Sequence, residues 1–303
     1  MSDSTVIEND TWRVGLLPHL GGSVAFGQVR VKDEWVDVMR PTPPDPDIPK
    51  QTASYPLVPW SNRIGHALLR FAGREYQLRA NWPDGSAIHG AGWDYPWSVV
   101  EHTGERAVLE FVSHDVYGVN WPWSFTARFT YAVDGDDFVW TYGVQNTSHE
   151  TFPAGFGHHP YLLRSVAGSA DAVLQVAASR AFALEDSLPT GPAGTVRAEA
   201  DFRTPRPLGR DGVDDCLTGR TDERLAVIEW PQTVRLEVLA DAALQHAVLY
   251  IPAHRDYWAL EPVSNANDGF TLDAQGIEGS GVFLLQPGEM RTANFRMRAS
   301  ALA

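Results

Sequence analysis

Cysteine is almost missing from this chain: Cys216 is the single one in 303 residues. It has no internal disulfide partner and supplies no cysteine-based metal cluster. Basic residues are also scarce, 24 Lys and Arg against 38 Asp and Glu, which leaves a net charge of −14. Nucleic acids and anionic membranes both require a basic face, so neither is an expected partner, and a small neutral ligand is the default. No apolar run approaches the ~20 residues that a membrane-spanning helix requires. Met1 to Asp10 is polar, with no basic n-region and no apolar h-region, so the expected location is cytoplasmic. A phosphate-cradling glycine loop, a Gly-x-Ser-x-Gly elbow and a His-Glu-x-x-His helix are all missing. Long amphipathic helical stretches are nearly absent too.

What the sequence does have is short apolar runs rich in Val, Phe, Tyr and Trp, separated by turn residues. Phe125-Thr126-Ala127-Arg128-Phe129-Thr130-Tyr131 alternates with period two, as a strand with one wet face does. Asp134-Gly135-Asp136 then predicts a tight hairpin into Phe138–Gln145, and Ala72-Gly73 predicts another between Leu68–Phe71 and Arg74–Leu78. Arg40 to Lys50 holds five prolines, so it reads as an irregular loop. Only Thr195–Phe202 and Asn265–Phe270 suggest a turn or two of helix. Roughly eighteen strands without alternating helices predict an all-β fold, a large antiparallel sandwich. No linker divides the chain, so residues 1–303 are expected to form a single domain, with 1–10 poorly ordered and the protein a monomer or homodimer.

Five stretches carry residue types suited to chemistry. Gly155-Phe156-Gly157-His158-His159-Pro160-Tyr161-Leu162 frames two histidines rigidly, and imidazole titrates nearest neutral pH. Adjacent strand residues face opposite sides, so His158-His159 is a poor metal pair. Asn62-Arg63, after Pro59-Trp60, can clamp a hydroxylated ligand with several donors. His89-Gly90 lies among Trp82, Trp93 and Trp97, whose flat faces suit the C–H faces of a sugar ring. Asp214-Asp215, read as a turn, can accept bonds from sugar hydroxyls or hold a hard cation. Glu261 closes an apolar strand before Pro262, where partial desolvation raises a carboxyl toward the range of a working base.

Asn62-Arg63-Ile64, His89-Gly90, Gly157-x-His159-Pro160-Tyr161, Leu188-Pro189-Thr190-Gly191, Asp214 and Glu261-Pro262 occur in that order. Together they resemble the aldose 1-epimerase (galactose mutarotase) family, from about Trp12 to Arg298. The resemblance implies a β-supersandwich that interconverts the α and β anomers of a free aldose without cofactor or metal. It implies Glu261 as the general base on the C1 hydroxyl and His159 as the general acid on the ring oxygen. His89 and Arg63, with Asn62 beside them, would hold the sugar and polarise its ring-oxygen region. Asp214, and less clearly Asp215, would take distal hydroxyls, and His158 would be structural. Leu162, the Ser264–Asp268 turn and the proline loop depart from the family pattern and are expected at the substrate rim. A hexose-6-phosphate 1-epimerase would need a basic cluster such as Arg70, Arg74 and Arg79. A non-catalytic sugar-binding sandwich would not need His159 and Glu261, and a glycosidase would need two framed carboxylates.

Overall fold

The computed structural model describes residues 4–302. Among them are 28 strands and one short α-helix, Gly269–Ala274, with brief 3-10 turns. The count exceeds eighteen because many two-residue strands line loops and carry no periodic pattern of their own. Thr195–Phe202 yields a 3-10 turn at Ala198–Ala200, and the helix starts at Gly269, near the end of the stretch expected to be helical. Thr5–Glu8 pairs with Trp12–Leu17, so the expected disorder of 1–10 does not hold from Thr5 onward; residues 1–3 lie outside the described part.

Phe125–Asp134 shows the predicted alternation of buried and accessible residues, and it pairs with Asp137–Asn146 through the Gly135-Asp136 turn. These strands belong to a nine-stranded sheet. Its order is Ser98–His102, Arg106–Val112, Phe125–Asp134, Asp137–Asn146, Met290–Ala301, Val234–Ala240, Arg224–Trp230, Val173–Val176 and Arg206–Pro207. A seven-stranded sheet runs Arg180–Ala181, Val213–Thr218, His246–Ile251, Tyr257–Val263, Gly157–His158 and Pro56–Leu57, with Tyr161–Leu163 also pairing with Tyr257–Val263.

The two sheets pack face to face. Trp140 of the large sheet stacks on His158 of the smaller one, with ring centroids 5.2 Å apart, and Trp230 Nε1 donates to Leu163 O across the gap at 3.0 Å. Trp12, Trp140, Trp230 and Trp258 are completely buried in this layer. A four-stranded sheet, Thr5–Glu8 through Glu34–Asp37, packs alongside, Trp12 against Phe138.

The smaller sheet has a second apolar cluster on its other face. Val248, Ala259, Val263, Cys216, Tyr55 and Tyr161 belong to it, whereas Leu249, Leu260, Trp258 and Leu217 belong to the core between the sheets. The split follows the two-residue period of the strands. Burial on both faces also explains why Tyr257–Leu260 and Ala247–Ile251 read as continuous apolar runs.

Candidate active site

Strand register places the site on that second face. Asp214, Tyr250, Ala259 and Tyr161 lie directly opposite one another across four strands, and Cys216, Val248 and Glu261 form the next rung. Residues opposite one another on antiparallel strands share a face, as do residues two apart. Glu261 and Asp214 therefore project from the same side, and Asp215 projects from the other. His159 follows Gly157–His158, its amide donating to Tyr55 O at 3.1 Å, and its ring stacks on Tyr55 at 4.9 Å and meets Tyr161 at a tilt, 4.4 Å away. Its Nε2 lies 3.1 Å from Glu261 Oε1, with both side chains at least nine-tenths buried. These two residues are 102 positions apart in sequence, and the sheet brings them into contact.

A pair of loops closes the other wall. Arg63–Ile64 pairs with Ala87–Ile88, and His89 N donates to Asn62 O at 2.9 Å. Asn62 and His89 both hold positive φ, 54° and 65°. Asn tolerates that region and His does so less readily, so the pairing must hold His89 there. Gly90 is needed next to it, because a Cβ at that position would lie 2.2 Å from Val58 O. Arg63 Nε is held by Asp84 at 2.8 Å, and Asn62 Oδ1 accepts from the Arg63 amide. The His89 ring meets that of His159 edge-on at 5.3 Å. The glycines before His158 serve room rather than φ: a Cβ on Gly155 would lie 1.9 Å from Asn265 Oδ1.

The cavity is an open cleft of ≈ 130 Å³ lined by Asn62, Arg63, His89, His159, Asp214 and Glu261, together with Tyr55, Tyr161, Tyr250, Trp82 and Lys50. Larger hollows occur elsewhere, ≈ 590 Å³ around Arg220 and Asp241 and ≈ 640 Å³ around His66 and Glu185. Both lack a buried acid–base pair, so size does not decide the site. Burial raises the Glu261 carboxyl well above the usual carboxylate range; Asp214 adds to the effect and Arg63 opposes it. Burial lowers His159 to about 3, with a smaller push from Arg40. Burial likewise lowers His89, aided by His159, Arg63 and Lys50. Asp214 is reached by solvent at the mouth, yet protein crowds it enough to raise its carboxyl. Desolvation thus drives both members of the His159–Glu261 pair toward their neutral forms. Glu261 Oε2, His159 Nδ1 and His89 Nδ1 are buried with no hydrogen-bond partner among the described residues. Such atoms cost about 1–3 kcal/mol each unless a ligand satisfies them.

Six of the seven expected site residues converge here, and Asp215 does not. It lies in the strand Val213–Thr218 rather than a turn, and a bidentate contact with Arg197, 2.8 Å and 2.6 Å at closest, ties it down. Of the three tryptophans, Trp82 lines the cavity, Trp93 stacks behind Tyr55 at 5.3 Å, and Trp97 is core, packed on Phe129. The Ser264–Asp268 segment is buried support rather than rim: Asn265 bonds both the amide and hydroxyl of Ser61, and Asp268 Oδ1 accepts from Gly65 N at 2.9 Å. Leu162 points into the core. Arg70, Arg74 and Arg79 are engaged with Glu75, Glu150 and Gly118 O respectively, away from the cavity. Tyr55, Tyr250 and Lys50 were not anticipated. Among the described residues, no group of three or more His, Cys, Asp or Glu side chains is arranged to hold a metal ion.

The aldose 1-epimerase family model matches residues 7–298. The chain belongs to the aldose 1-epimerase family. A relative from Escherichia coli K12, the uncharacterized protein YphB, is 30% identical over 259 residues, 82% of this chain and 84% of the relative. The crystal structure of a putative aldose 1-epimerase from the same organism superposes with a TM-score of 0.84 at 24% identity, covering 99% of both chains. A galactose mutarotase-like protein from Clostridium acetobutylicum gives a TM-score of 0.86 at 17% identity, covering 98% of this chain and 95% of that one. The fold is the nearly all-β, galactose mutarotase-like sandwich of this family. No helix among the described residues is long and apolar enough to cross a membrane.

Proposed function

We propose that this epimerase-family protein interconverts the α and β anomers of a free, neutral aldose, with His159 and Glu261 as its proton-transfer pair. The observation that carries this reading is the buried 3.1 Å contact between His159 Nε2 and Glu261 Oε1 at the floor of the cavity. Ring opening removes the proton from the C1 hydroxyl and adds one to the ring oxygen as the C1–O5 bond breaks. A carboxylate and an imidazolium, holding one proton between them, perform both transfers. They finish as a carboxylic acid and a neutral imidazole, leaving the open-chain aldehyde. Rotation about C1–C2 followed by the reverse transfers closes the ring on the other face.

Burial favours the neutral form of the pair, which is the state that accompanies the open chain. The charge-separated form needed before ring opening must be supported by the sugar's hydroxyls and by Arg63, which favours an ionised Glu261. Each of the two proton transfers is worth about 10²–10⁴-fold in rate. Trp82 offers an apolar face to the ring carbons, and Asn62, Arg63, His89 and Asp214 offer partners for hydroxyls. With Arg70, Arg74 and Arg79 engaged elsewhere, a neutral aldose fits better than a phosphorylated one. Glu261 is paired with an imidazole rather than a second carboxylate, which suits proton exchange on one sugar better than glycoside hydrolysis.

The test is to follow the anomer ratio of freshly dissolved α-D-galactose, α-D-glucose and glucose 6-phosphate by polarimetry or NMR. The reading expects acceleration on a neutral sugar by the wild type. No acceleration on any of the three would sink it.

A further inference from the structure

Arg40 opens the proline loop and stands one layer behind the acid–base pair. Its guanidinium carbon lies over Tyr161, 3.8 Å from the ring centroid, and 4.5 Å from that of Tyr257. Its amide donates to Tyr161 O at 2.9 Å, and its Nη2 donates to Lys50 O at 2.6 Å and to Thr52 O at 2.5 Å. The partners of this cation are thus two aromatic faces and two carbonyls. Through the carbonyls it closes the neck of the 41–49 loop, whose far end delivers Lys50 Nζ to a point 4.3 Å from the Trp82 ring at the cavity. Through Tyr161 it backs His159, the ring of Tyr161 being 4.4 Å from the imidazole.

We propose that Arg40 is a positioning residue for the reaction, holding Tyr161 as the wall behind His159 and fixing the loop neck that presents Lys50 to the cavity. A planar guanidinium can sit over aromatic rings while one of its nitrogens bonds two carbonyls, which a compact ammonium on a flexible stem does not reproduce. The cation also opposes protonation of His159, an effect second to burial. The other groups that face His159 are Glu261 from Tyr257–Val263, His89 from the opposite wall, and the phenols of Tyr55 and Tyr161. None of these titratable groups is removed when Arg40 is changed.

The inference rests on the epimerase reading, but one of its readouts is independent of activity. Histidine-selective NMR would follow the titration of His159 in the wild type, R40M and R40K, beside kcat and KM on the preferred aldose. In R40M the protonation step of His159 is expected to move up by about 1 unit, as removal of a nearby like charge allows. Its kcat is expected to fall about 10- to 100-fold through loosened geometry, with KM changed less. R40K is expected to keep a titration close to wild type while losing kcat, because charge returns without the fork. A purely structural Arg40 would lower thermal stability and leave both the titration and kcat of R40M at wild-type values, and either value unchanged overturns the proposal. If R40M does not fold, a wild-type kcat in R40K overturns it. An inactive wild type defeats the functional reading instead, and the titration then decides for or against Arg40 alone.

Discussion

His158 and His159 follow one another at the end of the same short strand, and the sheet sends them to opposite sides. His158 goes between the sheets, where Ser54 Oγ and Tyr131 Oη bond its two nitrogens and Trp140 stacks on its ring. His159 goes to the second face, where Glu261 is its partner and Nδ1 has none among the described residues. Both are buried and both are pushed toward the neutral form by desolvation. Burial and a perturbed titration therefore do not separate a working histidine from a structural one here. What separates them is satisfaction: every polar atom of the His158 ring is used within the fold, and His159 keeps one free beside a carboxylate and a cavity. Asp214 and Asp215 repeat the lesson three strands away in the same sheet, Asp215 neutralised by Arg197 and Asp214 facing the cavity mouth.

The strongest way to break this contrast is substitution on the cavity side. Glu261→Gln and His159→Asn should each lower kcat by about 10²–10⁴-fold with the fold retained, as checked by circular dichroism and anomer-exchange NMR. Full activity in Glu261→Gln would remove the assigned base. On the core side, His158→Leu should cost about 1–3 kcal/mol for the Ser54 hydroxyl left unpaired, measured by urea unfolding, with kcat close to wild type. Tyr131 keeps its bond to Gly22 O. A smaller effect is expected at the paired aspartates. Asp214→Asn should raise KM about tenfold, a loss of about 1.4 kcal/mol in binding, whereas Asp215→Asn should leave KM unchanged. The Asp215 variant should lose under ~1 kcal/mol of stability, since Arg197 is half exposed.

The smallest effect concerns pH. Unfolded imidazoles take up protons below about pH 6.5, while folded His158 resists protonation to well below that value and His246 to about 4. In that window the unfolded state binds more protons at these sites, so they withdraw stability as pH falls. Glu261 acts with the opposite sign, because its raised folded value withdraws stability as pH rises above the ordinary carboxylate range. His158→Leu deletes one proton from the balance. Its unfolding free energy should depend less steeply on pH between about 5 and 6.5, by up to ~1.4 kcal/mol per pH unit.

The sequence carried the fold class clearly, because period-two alternation and Asp-Gly or Ala-Gly turns are local signals. Six of the seven residues expected at the candidate site line its cavity, and they were legible for a different reason: their order along the chain matches a known family. Asp215 was misplaced because Gly212 and paired aspartates look like a turn, while the actual strand Val213–Thr218 shows no alternation of polar and apolar residues. Tyr55 and Lys50 had no signal at all. Tyr55 falls between the isolated bridge at Ser54 and the two-residue strand Pro56–Leu57, and Lys50 lies at the end of a proline loop whose neck Arg40 spans by bonding Lys50 O. Ser264–Asp268 was polar enough to suggest a rim, yet those polar atoms are spent on buried backbone at Ser61 and Gly65.

The central claim is that the sheet divides two adjacent histidines into one that holds the fold and one that moves protons. Exchange NMR on α- and β-D-galactose or D-glucose, run side by side with His158→Leu and His159→Asn at equal folded concentration, tests it most directly. The account predicts near wild-type anomer exchange in the first with reduced stability, and exchange reduced about 10²–10⁴-fold in the second with stability retained. Loss of exchange in folded His158→Leu together with wild-type exchange in His159→Asn would contradict it.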